Sequence, residues 1–178
     1  ISKESYLSLI NSINVLDQLE LNNQMIIEQV KRASEMYVNE NIDYDRALSY
    51  INAIATLKIF SDELDVYKHN IKEIYESRQI YETAKYYEAI QGYDKVLEND
   101  KKYYKLAQNK KEECIDNMYD YYIEKAKESN DEGNYEEALQ YLNYIKKYYF
   151  DDENVLELER KYQKNLSMYT LTSDDIIN

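Results

Sequence analysis

Tyr135-Glu136-Glu137-Ala138-Leu139 opens a run whose apolar residues return at three- and four-residue steps, through Leu142 and Ile145 to Tyr149. The same opening stands upstream as Tyr86-Tyr87-Glu88-Ala89-Ile90 and as Tyr44-Asp45-Arg46-Ala47-Leu48. Steps of three and four trace one stripe of an amphipathic α-helix. Three runs with one opening are an internal repeat, the mark of stacked helical units. Alanine in each opening lets two helices approach closely, and the tyrosine ring before it closes the turn.

Working outward, the rest of the chain follows the same rule. Phe60, Leu64, Tyr67, Ile71, Ile74, Arg78 and Tyr81 predict a long helix with Arg78 as the one polar interruption. Tyr86, Ala89, Ile90, Tyr93, Val96 and Leu97 predict a shorter one. From about Lys101 to Asp131 nothing breaks the pattern, and Tyr104, Ala107, Cys114, Met118, Tyr122, Ala126 and Ser129 mark one face, disturbed only by Lys111. The chain opens with Tyr6, Leu9, Ile13 and Leu16, and resumes with Ile27, Val30, Ala33 and Tyr37. Between them, the polar stretch from Glu20 to Gln24 reads either as a bend or as a solvated part of one helix. A last helix is predicted from Asp151 to about Leu166 through Val155, Leu158 and Tyr162.

Boundaries are predicted from caps, because the chain has no proline and only Gly92 and Gly133 as glycines. Asp43, Ser61, Thr83, Asn134 and Asp151 each precede a periodic run, where a short polar side chain can accept a first-turn N–H. Asn134 with Glu137 approximates a capping box. Connections this short force consecutive helices to lie antiparallel. The expected fold is therefore all-α, with antiparallel hairpins forming a bundle or a solenoid; strand-rich folds, which need frequent turn residues, are disfavoured.

Composition bounds the function. The 178 residues, 44% apolar and 32% charged, can bury a core. Tyrosine dominates the aromatics, with 22 Tyr against 2 Phe and no Trp, and its ring can fill a seam while its hydroxyl reaches water. A net charge of -13 disfavours nucleic acid and anionic membrane surfaces, which need a cationic footprint, and suits a neutral or basic protein partner. No apolar run reaches the roughly 18 residues of a spanning helix. Cys114, the one cysteine, can form no internal disulfide, and compartment stays open. The first residue is Ile1 and the last run, Thr172 to Ile177, resembles a helix start. The sequence thus reads as an excised fragment, with a slight lean toward a membrane-anchored, extracytoplasmic bacterial protein.

Candidate sites are few. His69 is the only histidine and has no cysteine or acid cluster at ligand spacing around it, so it reads as a surface or seam residue and no metal or cofactor is expected. Cys114 reads as a packed thiol. Asp116, Asp120, Glu124, Glu128 and Glu132 follow at four-residue steps along the predicted long helix. That row reads either as a solvated face or as a docking strip for a cationic partner. Asp151, Asp152 and Glu153 suit the positive end of their own helix and lack the spacing and glycine of a calcium loop.

The segment from Tyr119 to Phe150 resembles the tetratricopeptide repeat family. Tyr122 and Ala126 match its large-then-small pair on the first helix, Gly133-Asn134-Tyr135 its turn, and Glu137-Ala138-Leu139 the start of its second helix, with Leu142 and Ile145 behind. Phe150 stands where the family usually has proline. The other copies depart further: counting back from Ala89, the core positions fall on Glu73 and Glu76, and Ala47, Ala89 and Ala138 are spaced by 42 and 49 residues against a family period of about 34. The resemblance implies stacked hairpins forming an α-solenoid, here with extended helices. Residues 1–82 would be N-terminal hairpins or a bundle, 83–167 the repeats, and 168–178 a tail or the start of a further segment. It also implies a groove lined by first helices, which nominates Asp120, Ile123, Glu124, Lys127, Asn130 and Asp131 as partner-binding residues. They differ from the Lys/Asn-rich set with which some relatives clamp a terminal carboxylate, so basic or amide-bearing segments are the expected ligands.

The expected function is a non-enzymatic protein–protein interaction scaffold presenting an acidic, tyrosine-rich helical surface. The alternative is a structural or self-assembling spacer of a bacterial cell-envelope protein, pairing as a homodimer. A catalytic site is not expected, because no pair of acids interrupts an apolar stripe as a buried catalytic carboxylate would.

Overall fold

The computed structural model describes residues 62–177 without a break and residues 20–28, with single helical positions at 11, 14, 18, 31, 32 and 52. Among these residues all regular structure is helical, with no strand, so the chain is all-α. From Asp62 the order is α1 (Asp62–Glu82), α2 (Tyr86–Tyr93), α3 (Lys101–Asp131), α4 (Tyr135–Lys146) and α5 (Glu153–Ile177). The repeat copy at Tyr44, the caps Asp43 and Ser61, and the opening stripe from Tyr6 to Leu16 lie outside the described residues. Residues 20–28 form continuous helix exposed from Glu20 to Met25, so the polar stretch is a solvated part of a helix and not a bend.

The chain divides into two compact units, one comprising Ile1–Tyr75 with Leu97–Tyr103 and the other Glu76–Val96 with Tyr104–Asn178. The first is organised around Tyr67, which is buried with Ile27, Leu64, Ile71 and Ile74. Its hydroxyl donates to the Lys31 carbonyl at 3.0 Å, which leaves the oxygen to accept from the Tyr103 hydroxyl, also at 3.0 Å. The two rings meet edge-on, with centroids 5.2 Å apart. Asn70, fully buried, uses both ends of its amide: Nδ2 donates to the Leu97 carbonyl at 2.9 Å and Oδ1 accepts the Leu97 N–H at 2.7 Å. A buried amide bonding both the N–H and the C=O of one residue outside the helices satisfies groups that no helix supplies with partners.

In the second unit, Ala107, Cys114, Met118, Tyr122, Ala126 and Ser129 of α3 are buried, as the stripe predicts. Ala89, Ile90 and Tyr93 of α2, Ala138, Leu142 and Ile145 of α4, and Val155 and Tyr162 of α5 complete the core. The stripe's first member is a correction. Tyr103 is buried at 2% exposure while Tyr104 is at 36%. Both stand at an allowed helical step before Ala107, and the presence of Tyr67 selects Tyr103. Lys111, expected to disturb the face, extends its ammonium to Asp94 at 2.6 Å.

The two hairpin turns are built alike. Lys85 N–H bonds the Ile80 carbonyl and Ala84 N–H the Tyr81 carbonyl; Asn134 N–H bonds Ser129 and Gly133 N–H bonds Asn130 in the same pattern. This paired closure is a Schellman motif, and it requires a left-handed residue after the helix. Ala84 (φ 57°) and Gly133 (φ 83°) supply it. The N-cap residues that follow, Lys85 (φ -87°, ψ 64°) and Asn134 (φ -85°, ψ 63°), are superimposable in backbone and make no side-chain cap bond.

The cap expectations are corrected accordingly. Thr83 precedes the N-cap and its hydroxyl donates back to the Ile80 carbonyl at 2.7 Å. The Asn134–Glu137 box does not form: the Asn134 amide donates to Glu132, and Glu137 accepts the Ser129 hydroxyl at 3.0 Å. The backbone at both positions lies outside the extended conformation from which a cap side chain reaches the first turn. At α5 the cap is Asp152 and not Asp151, with Oδ1 accepting the Val155 N–H at 2.9 Å.

Long-range bonds recur at a nearly constant sequence offset. Tyr119 donates to Asp152 (33 residues on, 2.9 Å), and Asn165 donates to Asn130 (35 residues on, 2.9 Å). Partners that advance together along both helices mean that α3 and α5 run parallel here, with α4 antiparallel between them. Asn117 donates likewise to Tyr81, 36 residues before it, at 3.0 Å. The 49-residue spacing of Ala89 and Ala138 exceeds this offset because α3 runs on past the level of the preceding turn. Helix α5 also runs past Leu166, where Ser167, Thr170, Thr172 and Ser173 each donate to the carbonyl four residues back.

Candidate binding surface

The extra length of α3 creates a step. The turn at Thr83–Lys85 abuts α3 at Tyr121 and Tyr122, and the face of α4 carrying Glu137, Gln140, Tyr141 and Tyr144 forms the facing wall. Between them lies an open cleft of about 340 Å³, with Glu88 of α2 at its edge. Glu137, Tyr141 and Tyr144 share one face of α4 because they are spaced by four and three residues.

Tyrosine rings build both walls. Tyr87 stacks on Tyr144 with centroids 4.3 Å apart and planes 20° from parallel. Tyr122 stands 5.6 Å from each of Tyr121, Tyr141 and Tyr144, and Tyr86 meets Tyr121 edge-on at 5.4 Å. The Tyr122 hydroxyl accepts the Tyr87 N–H at 3.0 Å, so the ring also satisfies a first-turn donor of α2. Burial pushes the Tyr122 phenol up to about 12. Burial and then the Glu137 carboxylate also raise Tyr141. Both rings therefore stay neutral through the physiological range and keep electron-rich faces.

Cations already sit on the outer members of the cluster. Lys125 Nζ lies 5.9 Å from the Tyr121 centroid, and Lys147 Nζ lies 5.0 Å from that of Tyr87, donating to the Tyr87 hydroxyl at 2.7 Å. Tyr122, Tyr141 and Tyr144 carry no such cation among the described residues.

Asp116, Asp120, Glu124 and Glu128 are exposed along α3, and Glu132 is exposed just past its end. At 1.5 Å per residue this row is about 24 Å long. Lys125 bonds Glu128 at 2.7 Å. The six nominated residues separate into two groups. Asp120, Glu124, Lys127 and Asp131 are exposed, whereas Ile123 is only 7% exposed and Asn130 is half-buried with its Oδ1 taken by Asn165. The face that the family resemblance assigns to a groove is, at Ile123 and Asn130, occupied by the protein's own packing.

No protein-family model, curated protein or solved structure matches this chain. Function must be argued from the surface itself.

The remaining chemistry-bearing residues fall as follows. Cys114 is buried, and burial followed by the charge of Glu113 pushes its thiol up to about 12, so the thiolate needed for nucleophilic or redox chemistry is suppressed. His69 is half-buried on α1. Among the described residues no group of three or more His, Cys, Asp and Glu stands where it could hold a metal ion, and no helix is long and apolar enough to cross a membrane. Sequence reasoning missed the tyrosine cleft, although Tyr86-Tyr87, Tyr121-Tyr122 and the three-residue step from Tyr141 to Tyr144 were its visible signals.

Proposed function

We propose that the chain is a non-enzymatic protein–protein interaction module that presents an acidic, tyrosine-rich helical surface to a basic partner protein. The observation that carries this reading is the exposed acidic series Asp116, Asp120, Glu124, Glu128 and Glu132 on the element whose Tyr121, next to Asp120, lines an open cleft walled by tyrosines. An acidic row steers a cationic partner, and rigid aromatic rings supply contact area at little entropic cost.

The reading includes a tetratricopeptide-like stack of hairpins. It is supported by two turns of one design and by offsets of 33 to 36 residues between hydrogen-bonded partners, close to the family period of about 34. In such a stack each hairpin leaves an apolar stripe that its neighbour covers.

The test is a pull-down and titration with a lysine-rich peptide as probe. Salt-sensitive binding that weakens about tenfold or more on Asp120→Lys with Glu124→Lys supports the reading. Unchanged affinity after that charge reversal refutes it.

A second reading, a self-assembling spacer, draws on the end of α5, where Met168, Tyr169 and Leu171 are 59%, 61% and 67% exposed. It requires a concentration-dependent dimer in light scattering that Met168→Asp and Leu171→Asp abolish. A monomer at all concentrations removes it.

A further inference from the structure

From the geometry of the tyrosine cleft we infer that it holds a single arginine side chain of the partner, its guanidinium against the half-buried rings of Tyr141 and Tyr144 and between the carboxylates of Glu88 and Glu137. The inference rests on the proposed interaction function and names the group recognised. Three observations carry it.

The first is ring chemistry. The molecule places its own ammonium groups over Tyr121 and Tyr87, at 5.9 and 5.0 Å, while among the described residues no cation stands over the faces of Tyr141 and Tyr144, Lys125 being near enough to act on the Tyr141 phenol. An electron-rich ring face attracts a cation, and a planar guanidinium stacks on it where an ammonium cannot.

The second is charge. Glu88 and Glu137 enter the cleft from different helices, α2 and α4, against one lysine, Lys85, on the rim. Glu88 has no ion pair among the described residues, and Glu137 accepts only the neutral hydroxyl of Ser129. The guanidinium carries donors on a fixed fork, which suits carboxylates on two walls.

The third is continuity. Asp120 immediately precedes Tyr121, and Glu124 follows it by three residues, one turn along α3. A basic segment anchored by its arginine in the cleft meets the acidic row as it leaves. The cleft is lined by α2, α3 and α4 together, so its position depends on the overhang of α3 past the turn at Thr83–Lys85.

The experiment uses three blocked, otherwise identical lysine-containing peptides with arginine, lysine or citrulline at the centre, titrated into the full chain and followed by the tyrosine ring signals in NMR. The expected result is that the arginine peptide binds about tenfold tighter than the other two and shifts Tyr141 and Tyr144. Glu88→Gln, on an exposed side chain that leaves the core untouched, is expected to reduce that preference several-fold, and Tyr141→Ala to abolish it, with the melting temperature as a folding control.

Equal binding of the three peptides, lost on Asp120→Lys with Glu124→Lys but indifferent to Glu88→Gln and Tyr141→Ala, overturns the arginine cleft and leaves the acidic-surface reading standing. Absence of binding by every peptide overturns both. Displacement of the Tyr141 and Tyr144 signals by a neutral amino-sugar oligomer, with no effect of the arginine peptide, assigns the cleft to a carbohydrate and overturns the proposal.

Discussion

Gly92 brings the backbone of α2 so close to Ser77 of α1 that a Cβ on Gly92 would stand 2.1 Å from the serine Oγ and 3.1 Å from its Cβ. Rotation of the hydroxyl relieves the first contact but not the second. Gly92→Ala is expected to destabilise the protein by about 1–3 kcal/mol despite alanine's better helix propensity, because this part of the interface is already filled. The Ser77 Oγ is buried without a hydrogen-bond partner among the described residues, so Ser77→Ala is expected to be neutral or to stabilise by about 1 kcal/mol. Urea unfolding of Gly92→Ala, of Ser77→Gly and of the variant carrying both checks the pair. Coupling of more than about 0.5 kcal/mol is expected, and additive costs contradict the close approach.

The twin turns predict opposite responses to glycine and alanine. Ala84 holds φ 57° with a side chain that disfavours it, while nothing lies within 4 Å of a Cβ added to Gly133 at φ 83°. Ala84→Gly is expected to stabilise by about 0.5–1 kcal/mol, and Gly133→Ala to destabilise by about 1 kcal/mol through backbone strain alone. Thermal melts measure both, and shifts of equal sign would count against the shared turn geometry.

Asn70 supplies the partners of both the N–H and the C=O of Leu97. Asn70→Ala removes both bonds and the fully buried amide that makes them, and is expected to cost about 1–3 kcal/mol. Asn70→Asp keeps the acceptor but loses the donor to the Leu97 carbonyl, and buries a charge, so it should be no milder. Hydrogen exchange at the Leu97 amide, slow in the parent and fast in Asn70→Ala, checks the assignment.

Alkaline pH tests the buried thiol and phenol. Cys114 is pushed from 9.0, and Tyr122 from 10.0, each to about 12, both primarily by burial. In both, the folded state binds its proton more tightly than the unfolded chain. Their contribution is therefore fully present below about pH 9 and declines as pH rises toward about 12. Denaturant melts between pH 8 and 11 are expected to show falling stability, less steeply in Cys114→Ala. Alkylation of Cys114 at pH 8 should require unfolding, and rapid labelling of the native protein would contradict the buried thiol.

Much of the helical pattern was legible because burial on a helix has a fixed period. Spacing alone predicts Leu64, Tyr67, Ile71 and Ile74, and Ala107, Cys114, Met118, Tyr122 and Ala126, as core, and all are buried. Where two residues satisfied the period equally, as Tyr103 and Tyr104 did, spacing could not choose between them, and Tyr67 did. Caps were less legible. Thr83 and Asn134 have suitable side chains, but their service depends on backbone angles that the preceding turn imposes. Of the acidic row, the four-residue step was enough to place Asp120 and Glu124 on one exposed face, whereas the burial of Ile123 depended on tertiary packing and the engagement of Asn130 by Asn165 on where α5 packs.

Local periodicity and the absence of proline by themselves determined an all-α chain, the long helix from Lys101 to Asp131 and an acidic surface, because each follows from residues within a few turns of one another. The lateral placement of helices was decided only in three dimensions: the offset of about 35 residues between bonded partners, the overhang of α3, and the tyrosine cleft that this overhang opens. Those features arise from packing between residues distant in sequence, such as Tyr87 with Tyr144, and no local pattern specifies which ring will meet which.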